Sequence, residues 1–211
     1  MNDPRFLERL RLFILQYLHP ATHRLEIRAL IELIDEPNRS RCRAFLEEHL
    51  DRLRLAYGST YNHQAWEGGY LDHVSEVMNF ARFLHHALRI IGRPLPFTLS
   101  DALLVLFLHD AEKPWKYERT PDGKRVVSGR FTTKAGQHAF RTELFAKHGF
   151  TFTDAQQNAL KYVEGEMQDY RGDRRVMNEL AAFCHMCDMF SARLFHSYPR
   201  DVTDEWPLTR L

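Results

Sequence analysis

The sequence has little cysteine and no long apolar run. Three cysteines occur among 211 residues, Cys42, Cys184 and Cys187. This odd, sparse set excludes a disulfide-dependent secreted scaffold and is typical of free thiols in a reducing cytosol. The longest strongly apolar stretch, residues 102–108, is far below the roughly 20 residues that a membrane-spanning helix needs. Because the first turns are also charged, unlike a secretory signal, we expect a cytoplasmic protein without a membrane segment.

The sequence also lacks a marked excess of charge of either sign. Lys and Arg total 29 while Asp and Glu total 28, so the formal net charge is +1. A protein whose whole surface binds nucleic acid or anionic lipid carries a marked basic excess. The net charge therefore gives no indication of nucleic-acid binding, although it is compatible with a local basic patch. The unusual count is that of histidine, with twelve residues.

Apolar residues recur at helical spacing along almost the whole chain, with the clearest stripe in residues 70–92. Residues 117–132 are the exception. There, Pro121-Asp122-Gly123 is a turn signal between two short polar-apolar runs, a pattern typical of a β-hairpin. We find no repeat of fixed period and no Gly/Ser- or Pro-rich linker. The sequence predicts an all-α helical bundle with one β-hairpin excursion around residues 117–132.

The domain organisation follows from the same pattern. We expect one compact unit, in which N-terminal helices of residues 1–58 pack on a helical domain formed by residues 59–211. Apolar periodicity does not separate a cover for the core from a homodimer interface. Both roles stay open for residues 1–58.

Local signals predict several helix boundaries. Ser100 is a candidate N-cap for the most apolar helix. Thr153 followed by Gln156 matches a capping box, in which each side chain bonds the backbone N–H of the other residue. The last helix is predicted to cover residues 176–195.

Polar residues interrupt the apolar pattern on three helices. His109 and Asp110 directly follow the run LLVLFL, Asp188 lies on an apolar face of the last helix, and His73 follows Gly68-Gly69. Burial of an unpaired charge is costly, so a carboxylate in such a position needs a partner such as a metal. These four residues are therefore candidate metal ligands.

Each residue also has a simpler interpretation. A single histidine beside an apolar face is usually a hydrogen-bonded core residue, Asp110 could be solvated, and Asp188 could pair with Arg193. The coincidence of histidine and aspartate on three helices favours a metal site. Two imidazoles and two carboxylates form a mixed set suited to Mn, Fe, Co, Ni, Zn or Mg.

Three motifs occur in a characteristic order. They are NHQAWEGGYLDHVSEV at residues 62–77, HDAEKPWKY at residues 109–117 and AFCHMCDMFSARL at residues 182–194. With His73, His109-Asp110 and Asp188, they resemble the H…HD…D signature of the HD-domain metal-dependent phosphohydrolases, an all-α superfamily. The first motif is most similar to the HD domain of certain bacterial 3′–5′ exoribonucleases. The resemblance covers roughly residues 60–195.

The resemblance implies an HD-type fold and a divalent metal held by His73, His109, Asp110 and Asp188. It also implies hydrolysis of a phosphomonoester or phosphodiester by metal-activated water. Trp66, Trp115 and Tyr117 flank the motifs. Since aromatic rings can stack on a nucleobase, they favour a nucleotide or short nucleic acid as the phosphate-ester substrate, although they could simply form the wall of a cleft.

The resemblance also assigns roles to individual residues. Asp110 is expected to bind the metal and accept a proton from water, while Lys113 matches the lysine of the family's HD-I-G-K segment. Glu112 replaces its glycine and is a candidate acid or base, with a surface ion pair to Lys116 as the alternative. The catalytic candidates are Asp110, Lys113 and Glu112. The substrate-binding candidates are Lys113, Lys116, His63 and His138.

One departure from the family pattern leaves the function open. The exoribonuclease-like pattern continues with a histidine pair on a later helix, whereas this chain has LKYVEGEMQDY, without histidine. Glu164 and Glu166 would have to replace that pair around a second metal. The alternatives are therefore an enzyme, a non-catalytic HD-fold module that binds metal and a nucleotide or protein partner, and a purely structural helical domain.

Overall fold

The structure, a computed structural model, describes residue 8, residues 24–122 and residues 125–198. Most of the first 23 residues of the predicted N-terminal unit lie outside this part. The helices are α1 (Ile27–Ile31), α2 (Asn38–Leu55), α3 (Gly69–Ile90), α4 (Leu99–Leu108), α5 (Lys113–Lys116), α6 (Lys134–Lys147), α7 (Asp154–Tyr162) and α8 (Glu179–Met189). Short 3₁₀ turns cover Gly129–Phe131 and Met167–Asp169.

A single antiparallel hairpin interrupts these helices in the described part of the chain. Its strands, β1 (Tyr117–Arg119) and β2 (Arg125–Val127), pair Tyr117 with Val127. The prediction of an all-α fold with one β-hairpin near residues 117–132 is confirmed.

The helix boundaries follow from capping interactions. The capping box of Thr153 and Gln156 is present at the start of α7, as predicted. The prediction of Ser100 as an N-cap is wrong, because the N-cap is Thr98, two residues earlier, which forms a reciprocal capping box with Asp101. The Ser100 hydroxyl instead accepts a hydrogen bond of 2.7 Å from the backbone N–H of Asp35.

The last predicted helix is shorter and changes its winding. It begins after Asn178, whose side chain caps the first turn, and its α-helical part ends at Met189. A π-helical turn, Phe190–Leu194, continues it. Such wider turns inside helices often occur at functional sites.

Helix α4 lies at the centre of the core. All its residues from Ala102 to Leu108 are buried, and α3, α7 and α8 pack around it. Leu30 and Phe45, from α1 and α2, belong to the same apolar cluster, so the described N-terminal helices share this core. Because α4 is surrounded, the residues that directly follow it are held in the interior.

Two further sequence expectations concern the thiols and the membrane. Cys42, Cys184 and Cys187 are buried free thiols, and burial raises the pKa of each. Among the helices of the described ranges, none combines the length and apolar character needed to cross a bilayer.

Candidate metal centre

Four predicted ligands converge at one point in the interior. His73 lies in the second turn of α3, His109 and Asp110 follow α4, and Asp188 lies in the last turn of α8. The Nε2 atoms of the two histidines are 3.2 Å apart. The carboxylate oxygens Oδ2 of Asp110 and Oδ1 of Asp188 lie 3.2–3.6 Å from these nitrogens. The structure thus brings together residues up to 115 positions apart in the sequence.

These distances fit a shared metal ion. Ligand atoms about 2.1 Å from one metal lie roughly 3.0–3.4 Å apart in octahedral or tetrahedral geometry. His73 and His109 are fully buried. The Asp188 side chain is 15% exposed, so solvent can reach the cluster on the side of Asp188. Two imidazoles and two carboxylates form a donor set for a divalent transition metal or Mg²⁺.

Hydrogen bonds at the other ring nitrogens orient both imidazoles. His109 Nδ1 donates to the backbone carbonyl of Leu106 at 2.7 Å. His73 Nδ1 lies 3.0 Å from Ser191 Oγ, which donates its own proton to Glu76 and so accepts from the histidine. Both Nε2 atoms are therefore held on the side of the carboxylates, the orientation found in metal-binding histidines.

The electrostatics of the cluster favour a cation. Burial opposes protonation of His109, but the carboxylates of Asp110 and Asp188 outweigh it and raise the pKa of His109 to about 10. Burial likewise disfavours the charged carboxylates, yet the histidines and Lys113 hold the pKa of Asp110 well below its usual range. The carboxylates thus remain charged, and a positive charge is stabilised between them.

Backbone geometry explains the two glycines that precede His73. Gly68 adopts a left-handed conformation with φ of 85° just before α3, where a side chain would be strained. Gly69 packs directly on the loop before it, since a Cβ atom there would lie 1.9 Å from the backbone oxygen of Gln64. The close contact fixes α3 against the loop that carries His63.

A buried polar network behind His73 was not predicted from the sequence. Gln64 Nε2 donates to Glu76 Oε2 at 3.1 Å and lies 3.2 Å from Ser191 Oγ. The same amide group contacts the backbone oxygens of Phe195 and Tyr198. Gln64 and Ser191 are fully buried, and Glu76 is nearly so. The sequence signal of Glu76 and Ser191 is a polar residue at an apolar helical position. Glu76 lies three residues after His73, and Ser191 lies three residues after Asp188.

Lys113 and His63 lie beside the four candidate ligands. The Lys113 ammonium forms an ion pair with Asp110 Oδ2 and lies 3.2 Å from His63 Nε2. Burial opposes the charge of Lys113, but Asp110 outweighs it and raises the pKa of the lysine. Burial and the neighbouring Lys113 lower the pKa of His63 to about 3. The cluster therefore combines a charged lysine with a neutral histidine.

Glu112 is buried beside the ligands rather than in a surface ion pair. Its side chain is 1% exposed, and its Oε2 lies 3.6 Å from Nε of Arg141. Arg141 also donates to the backbone carbonyl of His109. Burial raises the pKa of Glu112. Carboxylate oxygens of Glu112, Asp110 and Glu164 lie within 4.8 Å of one another, so Glu164, one of the two glutamates considered above, lies close to a candidate ligand.

Other predicted residues lie outside this cluster. His138 lines a cavity of about 450 Å³ together with Arg141 and Lys161. The Lys116 ammonium lies 5.8 Å from the ring centre of Tyr117. Trp115 packs against Phe45, His49 and Phe140, so its ring is engaged in side-chain packing between α2 and α6.

A second group of histidine and acid is satisfied by its own contacts. His49 and His148 share a 3.0 Å hydrogen bond between their Nε2 atoms, and Glu48 pairs with Lys147 at 2.7 Å. The group of His73, His109 and Asp188 is more deeply buried than that of Glu48, His49 and His148.

No protein-family model, curated protein or solved structure matches this chain.

Proposed function

We propose that the protein is an HD-type metal-dependent phosphohydrolase. It cleaves a phosphomonoester or phosphodiester, in a nucleotide or a short nucleic acid, with water as the nucleophile. The single observation that carries this proposal is the convergence of His73, His109, Asp110 and Asp188 on one point, with distances that fit one metal. The hydrogen bonds at Nδ1 of both histidines support it, because they hold each Nε2 atom toward the carboxylates.

A divalent metal held by His73, His109, Asp110 and Asp188 would supply Lewis-acid chemistry, that is, polarisation of a phosphoryl oxygen and a lower pKa of water. The residues of the chain supply position and charge. Asp110 accepts a proton from the attacking water. Lys113 places a cation beside Asp110, where it neutralises the non-bridging oxygens of the phosphoryl group as charge develops in the transition state.

Glu112 and His63 complete the proposed machinery. Burial raises the pKa of Glu112, which suits a carboxyl group that holds a proton and gives it to the leaving oxygen. His63 is neutral beside Lys113, and its ring nitrogen orients the lysine ammonium.

The test compares metal content and turnover in wild type, Asp110→Ala and His148→Gln. Elemental analysis is expected to find about one metal ion per wild-type chain. That metal should be lost in Asp110→Ala, while both proteins keep the same circular dichroism spectrum. His148→Gln is the matched control, because it disrupts the second histidine–acid group and should retain the metal.

Activity is then measured with each metal added, on aryl phosphate mono- and diesters and on nucleotides. Turnover in wild type and His148→Gln, but not in Asp110→Ala, would support the enzyme. Metal and nucleotide binding without any product would identify the non-catalytic module instead. Equal metal content in all three proteins would contradict the assigned ligands.

A further inference from the structure

A cleft of about 530 Å³ adjoins the proposed metal centre. It lies between the end of α2, the segment before α3, the start of α5 and the hairpin. Lys113 lines this cleft, and its ammonium reaches Asp110. Lys113 is therefore the residue that links the cleft to the candidate ligands.

The wall formed by the hairpin carries an arginine with a donor that has no partner among the described residues. Arg125, the first residue of β2, lies over the ring of Tyr57 with Cζ 3.5 Å from the ring centre. Its Nη2 makes one long contact of 3.5 Å with the Thr60 carbonyl. Its Nη1 is shielded from solvent and has no hydrogen-bond partner among the described residues. A buried N–H group without a partner is unfavourable, so a ligand that accepts a hydrogen bond from Nη1 would remove this cost.

The chemistry of Arg125 indicates the class of that ligand. A guanidinium group presents a planar set of donors that matches the oxygens of a phosphate or carboxylate. The contact with the Tyr57 ring holds the guanidinium group of Arg125 in place. Arg125 therefore loses little side-chain freedom when an anion binds.

The charges around the cleft are mixed. Arg52, Lys113 and Arg125 line it together with Asp51 and Glu67. Arg52 is already directed to the Pro114 carbonyl, at 3.4 Å, and lies 5.4 Å from the Trp115 ring centre. Lys113 pairs with Asp110. Arg125 differs from both, because it has a buried donor without a partner among the described residues.

We propose that this cleft binds a second phosphate group of the substrate, and that Arg125 binds it. This inference rests on the proposed phosphohydrolase function and narrows its substrate class. The protein would prefer a phosphate ester that carries another phosphate over one that does not. The second phosphate can belong to a nucleoside bisphosphate or to the backbone of a short oligonucleotide, and the experiment separates these sources.

The first measurement is equilibrium binding without turnover. Adenosine 3′,5′-bisphosphate, adenosine 5′-monophosphate and a 5′-phosphorylated dinucleotide are titrated in EDTA into wild type, Arg125→Gln and Arg130→Ala. Arg130 is the matched control, since it is exposed and paired with Glu143. We expect Arg125→Gln to weaken binding of the doubly phosphorylated probes roughly 10- to 100-fold. Binding of the monophosphate should change less than about twofold. Whichever doubly phosphorylated probe binds tighter identifies the source of the second phosphate.

The second measurement is kcat/KM for the same three compounds with the metal bound. Arg125→Gln should lower kcat/KM for the doubly phosphorylated compounds selectively, and Arg125→Lys should recover only part of it. An equal loss for all three compounds, or no loss, would overturn the inference even if turnover proves the phosphohydrolase. Conversely, selective binding through Arg125 in a protein without turnover would leave the cleft assignment intact and reject the enzyme. Thermal melting of each variant checks that the fold is retained.

Discussion

Ser191 Oγ lies 3.0 Å from Nδ1 of His73, on the side of the imidazole opposite the proposed metal ligands. The hydroxyl donates to Glu76, so its lone pairs face the histidine and the Gln64 amide. This arrangement fixes one tautomer of His73, with the proton on Nδ1. The proposed ligand His73 and the residue that orients it thus come from segments far apart in the sequence.

Replacement of Ser191 by alanine should weaken metal binding. Without the acceptor at Nδ1, the imidazole of His73 loses its fixed orientation and tautomer, and we expect the metal dissociation constant to rise about 10- to 100-fold. Competition with a chelator of known affinity measures this change. Ser75→Ala, also at a buried serine, is the control and should bind metal like wild type. An unchanged dissociation constant in Ser191→Ala would show that the hydroxyl does not support the site.

The variant Lys113→Met should retain metal binding and lose turnover. Removal of the ammonium leaves all four metal ligands in place, so metal content at saturating metal should stay at the wild-type value. Turnover should fall about 100-fold, because a cation directed at the transferring phosphoryl group is lost. Steady-state kinetics and elemental analysis on the same samples check both statements, with Lys147→Met as the surface control. Full activity in Lys113→Met would remove this lysine from the mechanism.

Gly69→Ala should destabilise the fold. A Cβ atom at this position would lie 1.9 Å from the Gln64 carbonyl oxygen, so either the loop or the start of α3 must move. We expect a loss of more than about 2 kcal/mol in the free energy of unfolding, measured by urea denaturation. Gly172→Ala is the control, since nothing lies within 4 Å of its added carbon. Equal stability of the two variants would contradict the tight packing.

The buried Glu76 should make stability depend on pH. Burial raises its pKa from 4.5 to about 7, so the folded protein retains a proton that the unfolded chain releases. The free energy of unfolding contributed by Glu76 should therefore fall as the pH rises from about 4.5 to 7, by up to about 3 kcal/mol. Above that range, the contribution of Glu76 to the free energy of unfolding should no longer change with pH.

Glu76→Gln tests this contribution because it cannot ionise. The difference in unfolding free energy between the variant and wild type should shift in favour of the variant between pH 4.5 and 8. Urea denaturation at several pH values measures it, and His86→Gln provides a control on the same helix. A difference that does not change with pH would show that Glu76 titrates normally.

Much of the fold could be predicted from local patterns. Helical periodicity identified the all-α class, and turn residues identified the hairpin. The capping box at Thr153 depends on residues three apart and was correct. Ser100 was assigned wrongly because Thr98 offers the same chemistry two residues earlier, and because the contact of Ser100 with Asp35 joins distant segments.

The four proposed ligands stood out because charged and polar residues in apolar helices conflict with burial. The structure shows that they converge, while the metal and the reaction stay predictions. The supporting residues could not be predicted, since Gln64, Glu76 and Ser191 meet only through tertiary packing. No local signal marks the change to a π-helical turn at Phe190. The unused donor of Arg125 likewise depends on how the hairpin packs against Tyr57.

The attachment of Gln64 has a consequence for the order in which the centre forms during translation. Its backbone N–H donates to the His196 carbonyl at 2.7 Å, and its side chain reaches the carbonyls of Phe195 and Tyr198. A nascent chain that ends before these residues lacks the anchor for the loop that carries His63. If Asp188 is also missing, the chain holds only three of the four ligands. The ribosome must therefore add residues 188–198 before the chain can form the complete centre.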